Sequence, residues 1–235
     1  MAHPARQEWA EHVAAETGGV IVWDEVGNVW DTRRRSLLAG TGTHVMVLQD
    51  DAVPSEGLVE SVTRAIEYSQ DFPVSLYATA GNRVRAALAL QPAAWWTGEG
   101  PTWGVGLVIP TSHIPGMLER CDRMRFPQDD KRITHYYANR MPTWYTVPSL
   151  VDHLDGPSLT GPNPHPRKAE RFGSGLNVDW SAPPVATNRD NLYPIVEMRK
   201  GDRTVKVRLY TRLHRKRLAE GWKTGEPPEG GSPRL

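Results

Sequence analysis

The chain has 235 residues, a net charge of +1 and one cysteine, Cys121. That length buries a substantial core without staples, and a single cysteine excludes both an internal disulfide and a cysteine-based zinc cluster. No apolar run approaches the ~18 residues that a spanning helix needs, and the start lacks the charged-then-apolar pattern of a secretory signal, so the expectation is a soluble, cytoplasmic protein.

"MAHPAR" leaves too little room for a full first strand. "PARQEWAEHVAAETGG" predicts a helix: Trp9 and Val13 share a face, Pro4 suits the first turn, and Gly18 and Gly19 end it. "VIVW" reads as a buried strand ending at Asp24. "DTRRRSLLAG" predicts a short helix capped by Asp31 or Thr32 and stopped at Gly40. "HVMVL" is the next strand. In "SEGLVESVTRAIEYS" the residues Leu58, Val62, Ala65 and Ile66 line one side of a helix, with Ser55 as its cap. "VSLYA" is a strand. Alternating strands and helices of this kind argue for an α/β fold with a mostly parallel sheet covered on both faces.

After residue 90 the chain is loop-rich as far as the strand "VGLVIP". A short helix follows, then a helix in "QDDKRITHYYANRM" and a strand in "TWYTVPSL". "IVEMR" and "TVKVRLY" predict a late hairpin around "KGD", and "KTGEPPEGGSPRL" reads as a disordered tail. From Arg199 to Arg217 there are nine Lys or Arg against one Asp, a local balance of +8. Such a stretch is either a solvated surface or a contact for phosphates, with Arg215, Lys216 and Arg217 as its densest run.

"HVMVLQDDAVP" poses the central chemical question: a strand leaves the core on Gln49, Asp50 and Asp51, two of which are adjacent carboxylates that repel. They are tolerable if a cation or donor meets them, or if they cap the following turn. Ligands in open α/β sheets collect beyond strand ends such as these and Asp24, and hard cations prefer oxygen.

"HPAR", "VWDEVGNVWDTRRR", "VLQDDAVP", "PTWGVGLVIP", "QDDKRI" and "VPSLVDHLDGPSL", in this order and spacing, resemble the nucleotide-sugar-dependent glycosyltransferases of the GT-A fold, specifically the small ones of actinobacterial phages. The resemblance implies a Rossmann-like GT-A domain over 1–175, with a nucleotide-sugar-binding half at 1–90 and an acceptor half at 91–175. A basic C-terminal appendage at 176–222 and the tail at 223–235 follow.

"LQDDA" then occupies the place of the family's DXD motif. Asp51 would ligate Mn²⁺ or Mg²⁺, Asp50 would reach the ribose or the metal's water, and Gln49 stands where the family carries an acid. His153 matches the histidine that completes the metal site. His3, Arg6 and Asp24 match the edge that holds the nucleotide base. Among the arginines after Asp31, consecutive helical residues point in different directions, so at most one or two can touch the donor. Asp31 and Arg34 are the candidates. If the enzyme inverts configuration, Asp130 would deprotonate the acceptor hydroxyl and Asp129 would hold the acceptor. A helix N-terminus favours both carboxylates regardless of function. Trp103 would form an acceptor-side wall, while Trp95, Trp96 and Trp103 equally suit a core.

The expected activity is transfer of a sugar from a nucleotide-linked donor, UDP by analogy, to a hydroxyl. The acceptor is a hydroxymethylated base in phage DNA, or a virion protein or glycan. A non-catalytic nucleic-acid-binding module is the alternative of another class. The compartment would be the host cytoplasm if the chain is phage-encoded.

Overall fold

The structure, a computed structural model, describes residues 1–78, 94–98, 102–138, 140–154, 168–169, 171–186, 195–200, 203–208, 217, 220–221 and 223–224. It is a mixed α/β arrangement. A 3-10 turn, Pro4–Arg6, leads into α1, Gln7–Thr17, and Gly18 closes that helix at φ 66°. The segment expected as the strand "VIVW" makes only an isolated parallel bridge, Ala2 to Trp23, because its partner segment turns at once into the 3-10 turn Pro4–Arg6.

Helix α2, Val29–Leu38, is capped by Asn28, whose side chain accepts from the Trp30 and Asp31 amides. Neither Asp31 nor Thr32 caps it. Asn28 has extended backbone angles, which aim its oxygen at the free amides of the first turn. Strands β1, His44–Leu48, and β2, Ala52–Pro54, follow, then α3, Leu58–Ser69. The expected stripe on α3 is buried at Leu58, Val62 and Ala65. Its cap is Gly57 rather than Ser55: Gly57 has φ 66°, and a Cβ there would lie 2.7 Å from Leu176.

The remaining elements are β3, Val74–Ser75; β4, Trp95–Gly98; β5, Gly106–Pro110; α4, Ile114–Asp122; and α5, Asp129–Tyr137. Then come β6, Thr143–Thr146; β7, Val151–His153; β8, Val185–Ala186; β9, Ile195–Lys200; β10, Arg203–Arg208; and β11, Lys223–Thr224.

The main sheet has the order β1-β5-β3-β6-β4-β8. It is mixed, which corrects the mostly parallel expectation. The pairs β1–β5, β3–β5 and β4–β6 are antiparallel, and β3–β6 and β4–β8 are parallel. Strands β1, β3 and β6 run one way and β5, β4 and β8 the other: β5 enters between β1 and β3 and is antiparallel to both, and β4 enters beside β6 and is antiparallel to it.

Helices cover both faces of the sheet. Val45, Val47, Leu107 and Ile109 pack against α2, α4 and α5. Val74 and Val108 face the other way, toward α3 and the indoles of Trp95 and Trp180. Trp180 and β8 lie beyond the expected boundary at 175 yet belong to this body.

The expected hairpin is present as β9–β10, with Val205 opposite the buried Met198 and Lys206 opposite Glu197. Lys223 and Thr224, expected in the tail, pair instead with β9, because the third strand satisfies backbone groups on the hairpin's free edge. Residues 225–235 and the run at 215–216 lie outside the described residues. No helix among the described residues is long and apolar enough to cross a membrane.

Candidate functional site

The pair β2–β7 builds the site. Its antiparallel register sets Ala52 opposite His153, and the Leu154 amide donates to the Asp51 carbonyl at 2.7 Å. Asp51 Oδ2 therefore lies 3.2 Å from His153 Nε2, although the two residues come from distant parts of the chain. Both side chains are nearly buried, and Asp51 Oδ1 is buried without a hydrogen-bond partner.

The tautomer follows from the neighbours. His153 Nδ1 lies 2.8 Å from the Leu154 carbonyl oxygen. A carbonyl only accepts, so Nδ1 carries the hydrogen, and in the neutral ring the Nε2 lone pair points at a carboxylate. A second proton, on Nε2, which would then donate to Asp51 Oδ2, removes that conflict, and so does a shared cation. Two cis ligands at ~2.1–2.2 Å from a divalent cation stand about 3 Å apart, so the 3.2 Å separation fits a shared cation. Among the described residues no group of three or more His, Cys, Asp and Glu is arranged around a metal position. A cation held there would take two ligands from the protein, which would leave positions open for phosphate oxygens and water.

Arg6 closes this carboxylate group from the N-terminal side. Its Nη1 donates to Asp51 Oδ2 at 2.7 Å and to Asp50 Oδ1 at 3.0 Å. The His3 amide donates to Asp50 Oδ2 at 2.6 Å, and the Trp9 indole anchors α1 by donating to the Ala52 carbonyl at 2.9 Å. Burial alone would raise the Asp51 carboxyl, but the hydrogen bonds and charges of His153 and Arg6 outweigh it and hold that carboxyl below its usual range. Burial correspondingly disfavours the Arg6 charge, and the two aspartates more than compensate, so Arg6 is held above its ordinary value.

A second chain of contacts runs from Gln49 to α5. Gly104 lies against the side chains of Gln49 and Arg33: a Cβ on it would stand 3.0 Å from Gln49 Nε2 and 3.0 Å from Arg33 Nη2. Arg33 is fully buried, and it donates from Nε to Asp129 Oδ2 at 2.6 Å and from Nη2 to the Gly104 carbonyl at 2.6 Å. Its Nη1 has no partner. Asp129 is thus spent on an ion pair inside the protein. Its neighbour Asp130 accepts from the Lys131 amide at 2.7 Å. Burial first, and the adjacent Asp129 charge second, push the Asp130 carboxyl above its usual range.

Trp103 is half-buried beside these residues, edge-on to Tyr77 at 6.1 Å and to Tyr145 at 5.6 Å. Tyr77 in turn stands 6.4 Å from the His153 ring. Trp95 and Trp96 are core residues: Trp95 packs on Trp144 and Trp180, and Trp96 stacks on Tyr145 at 3.7 Å.

Asp24 sits next to the site, its amide bonded to the Ala2 carbonyl at 2.7 Å, and its side chain closes the turn before α2 by accepting from the Val26 and Asn28 amides. Asp31 and Arg34 are not brought to the carboxylates. Asp31 pairs with Arg35 at 2.9 Å, and Arg34 lies 3.6 Å from Asp122 on α4. The inward-facing member of the arginine triplet is Arg33, expected with its two neighbours at the donor or in solvent and found instead in the core. Its signal was the spacing Trp30, Arg33, Leu37, a single helical stripe whose other members are core. Arg217 pairs with Glu220 at 3.2 Å.

No protein-family model matches this chain, and no curated protein is similar to it. The site's geometry and the motif pattern therefore carry the functional argument.

Proposed function

We propose that this protein is a metal-dependent glycosyltransferase of the GT-A type, moving a sugar from a nucleotide-sugar donor, UDP-linked by analogy, to a hydroxyl acceptor. One observation carries the reading: Asp51 and His153 converge to 3.2 Å with a buried, unpartnered carboxylate oxygen between strand ends. In this reading the two residues hold Mn²⁺ or Mg²⁺. The bound cation supplies charge stabilisation for the departing diphosphate.

The other residues take roles their surroundings permit. Asp24, His3 and Asp50 line the edge that receives the nucleoside. Asp130 accepts the proton of the acceptor hydroxyl if the reaction inverts configuration, and its raised carboxyl makes it a better base near neutral pH. Asp129, committed to Arg33, does not hold the acceptor; the pair instead fixes the start of α5 against the loop at Gly104. Trp103 offers an aromatic wall to an acceptor ring. The basic stretch from Arg199 to Arg217 favours a polyanionic acceptor, which makes a hydroxymethylated base in DNA the acceptor of choice.

The test is a donor panel with Mn²⁺, scored by release of nucleoside diphosphate with and without hydroxymethylated DNA. Metal-dependent release that rises with the DNA supports the whole reading. Metal-dependent release indifferent to DNA moves the acceptor to a protein or glycan. No release from any donor contradicts the reading.

A further inference from the structure

The acidic turn is not left uncompensated. Arg6 Nη1 bridges Asp50 Oδ1 at 3.0 Å and Asp51 Oδ2 at 2.7 Å, with all three side chains between 11% and 15% exposed. The oxygen that Arg6 engages on Asp51 is the one facing His153 Nε2, and Asp51 Oδ1 remains unpartnered. One carboxylate oxygen thus sits between a guanidinium and the imidazole nitrogen with which it would share a cation.

We propose that Arg6 is a resident counter-ion that a divalent cation displaces: a latch that keeps the Asp50–Asp51 pair neutralised while the site is empty and opposes metal entry until the guanidinium retracts. This rests on the metal-dependent reading above. Two features of the fold support it. Arg6 ends the short 3-10 turn Pro4–Arg6 and precedes α1, to whose first turn its side chain makes no capping hydrogen bond. On its outer side lies an open hollow, lined by Glu8 and Glu11 as well as Arg6, which offers the displaced guanidinium another acidic environment. The energetic logic is one of like charges. A guanidinium and a divalent cation on the same carboxylate oxygen repel strongly in a partly buried site, whereas either alone is stabilised by it.

The experiment measures Mn²⁺ itself. Free Mn²⁺ is counted by electron paramagnetic resonance in titrations of wild type, Arg6→Gln and Arg6→Lys, without any nucleotide, after circular dichroism has established that each is folded. Arg6→Gln should bind Mn²⁺ at least ten-fold more tightly than wild type, and Arg6→Lys, which keeps the charge, should stay near wild type. Equal or weaker binding by Arg6→Gln overturns the latch while leaving the metal site standing. Absence of Mn²⁺ binding in every form overturns the metal site and the latch together. A measurement on the unaltered protein does not depend on Arg6→Gln folding. The ¹⁵N side-chain resonance of Arg6, assigned by its loss in Arg6→Lys, should shift on addition of Mg²⁺ as the ion pairs release. A resonance unmoved at saturating Mg²⁺ overturns the proposal.

Discussion

Replacing Arg33 with methionine should cost more stability than any exposed substitution in the chain. The wild-type pair is Arg33 Nε to Asp129 Oδ2 at 2.6 Å, with side-chain exposures of 0% and 6%, and Nη2 also holds the Gly104 carbonyl. Removing one partner leaves the Asp129 carboxylate buried and uncompensated, a loss of about 3–5 kcal/mol. For a chain of this size each kcal/mol moves the melting temperature by about 2–4 °C, so a drop of about 6–20 °C is expected. The paired replacement Arg33→Met with Asp129→Leu removes both charges, and it should recover most of the loss, because a buried ion pair contributes little beyond an apolar pair of similar volume. Urea denaturation of wild type, the two single variants and the double variant closes the cycle. A single-variant cost under ~1 kcal/mol, or a double variant no better than the singles, would refute the assignment of a buried, mutually dependent pair.

Three further outcomes are expected. Asp130→Asn should lower kcat far more than donor affinity, and wild-type kcat/KM should lose activity on an acidic limb lying above the ordinary carboxylate range, since the base works only when ionised and its carboxyl is raised; a turnover number unchanged in Asp130→Asn would return the residue to a capping role. The Asp51 carboxyl is lowered in the folded state, so its contribution to stability is fully present above the unfolded value of about 4 and is lost as pH falls from there through the folded value. The stability gap between wild type and Asp51→Asn should accordingly narrow between pH 7 and pH 3 in denaturation midpoints, and a constant gap contradicts the sign. Binding of duplex DNA should weaken with salt by ~0.9 log units per log unit for each phosphate neutralised, and alanine at Arg215, Lys216 and Arg217 should flatten that slope in a two-salt titration; a slope the mutations leave alone argues against a phosphate contact.

Local pattern was legible wherever a segment's periodicity and its burial agree. The stripe on α3 and the hairpin β9–β10 follow from spacing alone. The strand direction did not, because it depends on where each strand is inserted: β5 runs between β1 and β3 and opposite to both, and no local preference records it. Caps misled where two candidates stood close together. Asn28 lies three residues before Asp31, and only backbone angles decide which side chain meets the free amides. At the site, Asp51 stood out as a carboxylate at a strand end, whereas His153 was pointed to only by the resemblance, and the β2–β7 register joins the two. Arg33 was hidden by its flanking arginines, since charge suggested solvent while its position on the Trp30–Leu37 stripe dictated burial. Asp129 looked available to a ligand because the sequence does not reveal that an arginine from α2 reaches it.

The central claim, a cation site at Asp51 and His153 that serves a nucleotide sugar, is tested most directly by calorimetric binding of UDP with Mn²⁺ and with chelator. Wild type should bind UDP with Mn²⁺ at least ten-fold more tightly than with chelator, and both Asp51→Asn and His153→Ala should abolish that difference while remaining folded. UDP binding that is identical in chelator, or a Mn²⁺ effect that survives in both variants, would contradict the account.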